Sequence, residues 1–393
     1  MEIRLAHRVL HLKPSATLAL SARAAKMKAS GGDIINLSAG EPDFDTPAPI
    51  KDAAIRAIQA GYTKYTPVDG IIPLKEAVVA KFARENNLQY TLDQVMVSSG
   101  GKQALYNLCQ AYLNEGDEVI IPAPYWVSYP EIANLAGGVP VIIDATLERS
   151  FKIRPDQLTS AITPRTRLFI LNSPSNPTGM VYSEEELKGL AQVLLAHPDI
   201  LIVSDDIYEH MIWGQKPFVN ILNVCPELMN RTVIINAVSK TYAMTGWRIG
   251  YAAGPARLIE AMKNIQSQST SNPTSIAQYA ALAALTDDQQ VVRDMAKVYR
   301  RRHDLVLEKI NSIKGLKALP AEGAFYLFPS VTEAMQSLGL KTDVDFAEFL
   351  LKKSGVVLVP GSAFGLDGYA RISIATSDAI LTEAMERIRT LLG

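Results

Sequence analysis

Six short runs of Val, Ile and Leu recur between residues 95 and 253 and constrain the fold of this chain more than any other feature: Val95-Met96-Val97, Val119-Ile120-Ile121, Val141-Ile142-Ile143, Leu168-Phe169-Ile170-Leu171, Ile200-Leu201-Ile202-Val203 and Val233-Ile234-Ile235. Runs that stay apolar without alternation suit strands buried on both faces. Helix-like segments separate them, so the expected arrangement is a mainly parallel sheet with helices packed against it. One of these helices carries a start signal, Ser183-Glu184-Glu185-Glu186: Ser183 can cap a backbone amide, and Glu186 can reach back to complete a capping box.

After about residue 255 the pattern turns helical, through Ala256 to Ala284 and again through Gln289 to Ile313. An apolar segment from Gly323 to Phe328, a helix, strands near Val356–Val359 and Tyr369–Ile374, and a closing helix from Ser377 read as a smaller α/β domain. No repeat or linker marks a border, so pattern alone divides the chain. Residues 48–285 form the large domain, and 1–47 with 286–393 form the small one, which the N-terminal arm joins.

A length of 393 residues with 48% hydrophobic residues supports this two-domain reading and a large core. Lys+Arg at 39 against Asp+Glu at 40 leaves no broad electrostatic footprint for nucleic acid or a membrane surface, so the expected partners are small molecules and a second copy of the chain. Cys109 and Cys225 stand apart without neighbouring metal ligands, which argues against a disulfide framework or a zinc site and fits a reducing cytoplasm. The start, Met1-Glu2-Ile3-Arg4-Leu5, lacks the apolar core of a signal peptide, and later apolar runs are too broken to span a membrane. His7 and His11 read as surface residues, and no metal site is expected.

In open α/β sheets ligands gather at the carboxyl ends of strands, and several chemically capable residues fall there. Lys240 precedes Arg248 by eight residues in the segment after the last apolar run. A lysine that loses its proton condenses with aldehydes, and an arginine fork grips phosphate. Pyridoxal phosphate is an aldehyde that carries a phosphate and would use both; the plainer alternative is an exposed lysine and a helix-end arginine. Ser99-Gly100-Gly101-Lys102-Gln103 follows a strand and opens a helix, where glycines and the helix N-terminus suit an anion. It is not a Walker A loop, since Gln103 stands where Ser or Thr would be needed, and a simple strand-to-helix turn is the competing reading.

Asp205 and Tyr208 follow the fifth run. A carboxylate there could keep a pyridine nitrogen protonated, and a phenol could bond the ring's 3-hydroxyl oxygen; a helix cap and an amphipathic tyrosine explain them equally, and Asp206 competes with Asp205. Trp126 could stack on a cofactor ring or simply pack, and Asn176 could donate to the ring oxygen or merely form an Asn-Pro turn. Arg371, flanked by apolar residues, needs a partner if buried: a substrate carboxylate or a structural salt bridge.

Lys13-Pro14-Ser15-Ala16-Thr17, the stretch Ala39 to Pro47 (AGEPDFDTP), the stretch Asn172 to Gly179 (NSPSNPTG) and the segment Lys240 to Gly250 occur in that order over nearly the whole chain. They resemble the motifs of the class I pyridoxal-phosphate aminotransferases of fold type I, in the bacterial aspartate aminotransferase branch. The resemblance implies that Lys240 carries the internal aldimine and moves the substrate Cα proton, and that Arg248 with the backbone of Gly100, Gly101 and Lys102 holds the phosphate. It implies that Trp126 stacks on the ring, Asp205 rather than Asp206 pairs with its nitrogen, and Asn176 and Tyr208 bind its oxygen. Arg371 would take the substrate α-carboxylate with Gly40 alongside, and Tyr65 would reach a partner's phosphate across a homodimer. Lys102, Ser15 and Thr17 match the residues that bind the distal carboxylate of dicarboxylic substrates. The implied reaction is ping-pong transamination between L-aspartate and 2-oxoglutarate. The same residues also resemble those of bifunctional aspartate/prephenate aminotransferases, and a β-lyase, an aromatic or alanine-type aminotransferase, or a non-catalytic regulator that binds the cofactor are rival readings on the same scaffold.

Overall fold

The computed structural model of the protein describes residues 3–10, 12, 16–214 and 217–393, without the side chains of 16–18. All of the apolar runs between 95 and 235 form strands of one seven-stranded sheet, in the order Val95–Ser98, Gly250–Ala253, Thr232–Ala237, Leu201–Asp205, Thr166–Asn172, Glu118–Ala123, Val139–Asp144. From Thr232–Ala237 to Val139–Asp144 every neighbour is parallel, while Gly250–Ala253 runs antiparallel to both of its neighbours. Successive side chains on a strand point to opposite faces. Accordingly Val97, Ile120, Phe169, Ile202 and Ile234 enter one apolar cluster, and Met96, Ile121, Ile170, Val203 and Ile235 enter the cluster on the other side.

Two features differ from the sequence expectation. Gly250–Ala253 is a strand without an apolar run, because it is wedged so tightly that only small residues and one tyrosine fit; a Cβ on Gly250 would lie 2.3 Å from the Gly101 amide nitrogen. Val139–Asp144 is not buried on both faces but is the sheet edge, with Val139 and Ile142 exposed.

The remaining strands form small sheets. Ala370–Ser373 lies antiparallel between Val359–Pro360 and Tyr326–Leu327, and Ile35–Asn36 pairs in parallel with Val356–Val357. Helices Gln290–Ser312, Asp343–Ser354 and Asp378–Leu392 cover them, and Ile35, Leu37, Tyr299, Phe325, Phe346, Ile372 and Leu381 share one apolar cluster there. Cys109 and Cys225 are free and buried, His7 is exposed, and His11 lies outside the described residues. Among the described residues no helix is long and apolar enough to cross a membrane.

The start signal at Ser183 is realised as a capping box. The Glu186 amide donates to Ser183 Oγ at 3.2 Å and the Ser183 amide donates to Glu186 Oε2 at 2.7 Å, opening the helix Glu184–Leu195. That helix packs Leu187, Leu190, Ala191 and Leu194 on the sheet. Ser183→Ala is expected to destabilise the protein by about 1 kcal/mol in chemical denaturation, with no change in ligand affinity because the cap is remote from the cleft described next.

Candidate active site

The carboxyl ends of Thr166–Asn172, Leu201–Asp205 and Thr232–Ala237 open on a cleft of about 520 Å³. Gly40, Gly101, Lys102, Trp126, Asn176, Asp205, Tyr208, Lys240, Arg248 and Arg371 all line it. The sequence separates these residues by more than three hundred positions, and the strand order brings them together.

Lys240 sits in a short helical turn, Val238–Thr241, directly after its strand. Its Nζ donates to the Gly40 carbonyl at 2.6 Å. Burial pushes the ammonium down to about 8; the Glu41 carboxylate opposes this shift, and Arg371, Arg248 and Lys102 add to it. An amine so placed is a nucleophile and a base near neutral pH.

Arg248 and the glycine turn meet at one end of the cleft. Arg248 adopts a left-handed backbone, φ 58°, and its Nη1 donates to the Thr245 carbonyl at 2.9 Å while Nη2 lies 3.4 Å from the Ser99 carbonyl. Gly100 has φ 94°, and a Cβ there would stand 2.5 Å from Arg248 Nη2. Gly101 opens the helix Gly101–Tyr112, whose N-terminal amides and positive dipole end face the same space. The result is a cradle for an anion, with Lys102 beside it. Lys102 Nζ lies 4.9 Å from the centre of the Trp126 ring, and partial burial together with Arg248 lowers its proton affinity.

Asp205 and Asp206 point in opposite directions. Asp205 faces the cleft, accepts from Tyr129 Oη at 2.6 Å and from the Ile207 amide at 3.3 Å, and is pushed up to about 6 by burial; the Tyr129 bond, the Ile207 amide and the Lys240 charge hold it from rising further. Asp206 turns behind the sheet end to Ser204 and Asn220. Nearby Glu209 accepts from Asn86 and Asn236 and pairs with the buried Lys81 ammonium. The loop that carries Asp205 and Tyr208 is therefore pinned from behind by a buried polar network. Tyr208 Oη lies 3.0 Å from Tyr326 Oη, and burial holds its phenol well above its ordinary range.

Arg371 is 2% exposed and has no carboxylate within ion-pair distance among the described residues, so a structural salt bridge does not account for it. Its Nη1 donates to Asn176 Oδ1 at 2.9 Å and its Nη2 to the Ser38 carbonyl at 2.7 Å; Nε has no partner among the described residues. The guanidinium lies 4.4 Å from the Tyr326 ring centre and 5.0 Å from that of Phe364. A buried, unneutralised fork with an orphaned donor has the chemistry to receive a carboxylate.

Tyr65 is 92% exposed and does not line the cleft of its own chain. Ser15 lies outside the described residues, as does the side chain of Thr17. Sequence reasoning missed Tyr129 and Tyr326. Tyr129 stands one helical turn after Trp126, with the two rings edge to face at 5.4 Å, a spacing that could have exposed it. Tyr326 lies inside an apolar run and carried no separate signal.

The chain is similar over its length to proteins of known class. The family model for aminotransferase class I and II matches residues 32–388. An aspartate/prephenate aminotransferase of Nitrosomonas europaea is 56% identical over 100% of both chains, and an aspartate aminotransferase of Geobacillus stearothermophilus is 53% identical over 99% of each. Among solved structures, the aspartate aminotransferase from Rhizobium meliloti superposes with a TM-score of 0.96 at 47% identity, covering 100% of this chain and 99% of that one. The aspartate aminotransferase from Thermus thermophilus with maleate gives 0.94 at 46% identity, over 99% and 100%. With the cleft geometry, these matches make the chain a member of the class I and II aminotransferases, of fold type I.

Proposed function

We propose that this enzyme transfers an amino group between L-aspartate and 2-oxoglutarate, giving oxaloacetate and L-glutamate, with pyridoxal phosphate as its cofactor. The observation that carries the reading is one cleft that brings together Lys240, its Nζ on the Gly40 carbonyl at 2.6 Å, the anion cradle of Arg248 and the glycine turn, and the unneutralised Arg371. The donor set fits the cofactor. Arg248 and the amides of Gly101 and Lys102 suit its phosphate, with Gly100, whose own amide donates to the Ser98 carbonyl at 2.8 Å, leaving room for the Arg248 fork; Asp205 suits its ring nitrogen, Tyr208 and Asn176 its ring oxygen, and Trp126 its face. When bound, pyridoxal phosphate supplies an aldehyde for amines and a ring that accepts electrons.

The protein's own residues do the rest. Arg371 takes the α-carboxylate bidentately, and Asn176, already bonded to it, fixes the plane of the fork. Lys240 Nζ serves as the base that removes the proton from the substrate Cα and returns it on the reverse half-reaction. Asp205, held by the Tyr129 hydroxyl, would keep a proton on the ring nitrogen of the bound cofactor. Donor and oxo acid use one cleft in turn, which gives ping-pong kinetics.

Lys102 supports a dicarboxylic substrate, since a second cation in the cleft besides Arg371 favours a second carboxylate over an apolar side chain. We assign Ser15 and Thr17 to the same carboxylate from the motif alone. The relative from Thermus thermophilus with maleate, a dicarboxylate, points the same way. Prephenate is the second substrate reading, favoured by the 56% identical relative from Nitrosomonas europaea and by its own pair of carboxylates.

We further propose a homodimer in which Tyr65 completes the partner's phosphate site, since Tyr65 is exposed and Ile55, Ile58, Tyr62 and Ile72 are exposed near it in the chain. The domain division at 48–285 against 1–47 with 286–393 is our reading of the same pattern, supported by the pairing of Ile35–Asn36 with Val356–Val357. The two free, buried cysteines fit a reducing cytoplasm.

Steady-state rates with aspartate, glutamate, alanine, phenylalanine and a cysteine conjugate as donors, and with 2-oxoglutarate, oxaloacetate and prephenate as acceptors, test the substrate assignment. Aspartate with 2-oxoglutarate is expected to exceed alanine and phenylalanine by at least roughly tenfold in kcat/KM; preference for an apolar donor contradicts it. Gly100→Ala is expected to weaken cofactor affinity by roughly tenfold or more in an equilibrium absorbance titration, through the left-handed backbone and the collision with Arg248.

A further inference from the structure

Glu41 lines the cleft, yet its neighbours give it no charge partner. Lys102, Lys240, Arg248 and Arg371 surround the same space, and among the described residues none lies within ion-pair distance of the Glu41 carboxylate. Its Oε2 accepts from Thr245 Oγ1 at 2.9 Å, and Oε1 has no hydrogen-bond partner among the described residues. The chain thus places an exposed carboxylate in a cleft that four cations also line, ion-paired with none of them, which leaves it available to a cation brought by a ligand.

The position of Glu41 identifies that cation. It follows Gly40, whose carbonyl accepts from Lys240 Nζ at 2.6 Å, and it is the side-chain charge with the largest influence on the Lys240 proton. During amino transfer the donor's nitrogen takes the place of the lysine nitrogen, so an amino acid arriving with its carboxylate on Arg371 brings its ammonium into the surroundings of Nζ. The Gly40 carbonyl is the acceptor bonded there, and the Glu41 carboxylate, on the next residue, lines the same cleft. A dicarboxylic amino acid has three charges, and the cleft offers Arg371, Lys102 and Glu41 with matching signs. An oxo acid lacks the ammonium and has nothing to offer Glu41.

We propose that Glu41, together with the Gly40 carbonyl, receives the α-ammonium of the incoming amino donor and is a substrate-binding residue specific to the donor half of the reaction. The inference rests on the aminotransferase reading. It does not depend on which amino acid is the donor.

The test compares wild type, Glu41→Gln and Glu41→Asp as holoenzymes, with the two half-reactions followed separately by cofactor absorbance. The substrates are the amino donor and oxo acid that the wild type turns over fastest, so failure of the aspartate assignment leaves the comparison intact. In Glu41→Gln the half-saturating concentration of the donor is expected to rise about tenfold, as for loss of a hydrogen bond to a charged group, and that of the oxo acid to change less than about twofold. Glu41→Asp is expected to recover part of the donor affinity, and cofactor affinity in an equilibrium titration to stay at the wild-type value in both variants. Equal shifts for donor and oxo acid, no shift for either, or a parallel loss of cofactor affinity would each overturn the proposal.

Discussion

Four cationic side chains, Lys102, Lys240, Arg248 and Arg371, share one cleft, and their mutual repulsion together with desolvation is the condition on which its chemistry depends. A lysine in water keeps its proton at neutral pH and is inert toward carbonyls. Burial, aided by the neighbouring cations and opposed by Glu41, brings Lys240 down to about 8. The same concentration of positive charge suits the phosphate and carboxylates of the proposed ligands, so one electrostatic arrangement would both activate the amine and attract its partners. The energy for holding these charges together comes from the sheet and helices beneath, where the strands Val95–Ser98, Leu201–Asp205 and Thr232–Ala237 are buried along their whole length.

Precision comes from the back of the site. The loop after Leu201–Asp205 alternates its allegiance, with Asp205 and Tyr208 facing the cleft, and Asp206 and Glu209 facing a buried network with Ser204, Asn220, Lys81, Asn86 and Asn236. Asn236 stands at the end of the strand that leads to Lys240, so Glu209 bonds the Asp205 loop directly to the lysine's own strand. Such a network over-determines a short irregular segment without regular hydrogen bonding of its own. In front, Tyr129 and Tyr326 do the same for Asp205 and Tyr208.

The large sheet was legible because strands buried on both faces must be written in Val, Ile and Leu. Gly250–Ala253 was not, because its constraint is steric: the requirement that nothing larger than hydrogen stand against the Gly101 amide is invisible in a hydrophobicity pattern. Lys240, Arg248, Gly100 and Asp205 were legible as chemistry at strand ends. The resemblance in spacing favours Asp205 over Asp206, and in the structure Asp205 lines the cleft while Asp206 turns away from it to Ser204. Tyr129 and Glu41 left little trace, since a tyrosine in a helix and a glutamate in a loop have many ordinary explanations, and only the three-dimensional neighbourhood removes them.

The central claim is that Lys240 is the residue to which the cofactor is joined. Borohydride reduction of the holoenzyme followed by proteolysis and peptide mapping tests it most directly. One pyridoxyl label per chain is expected, on Lys240; a label on Lys102 or another lysine, with Lys240 unmodified, would contradict the assignment.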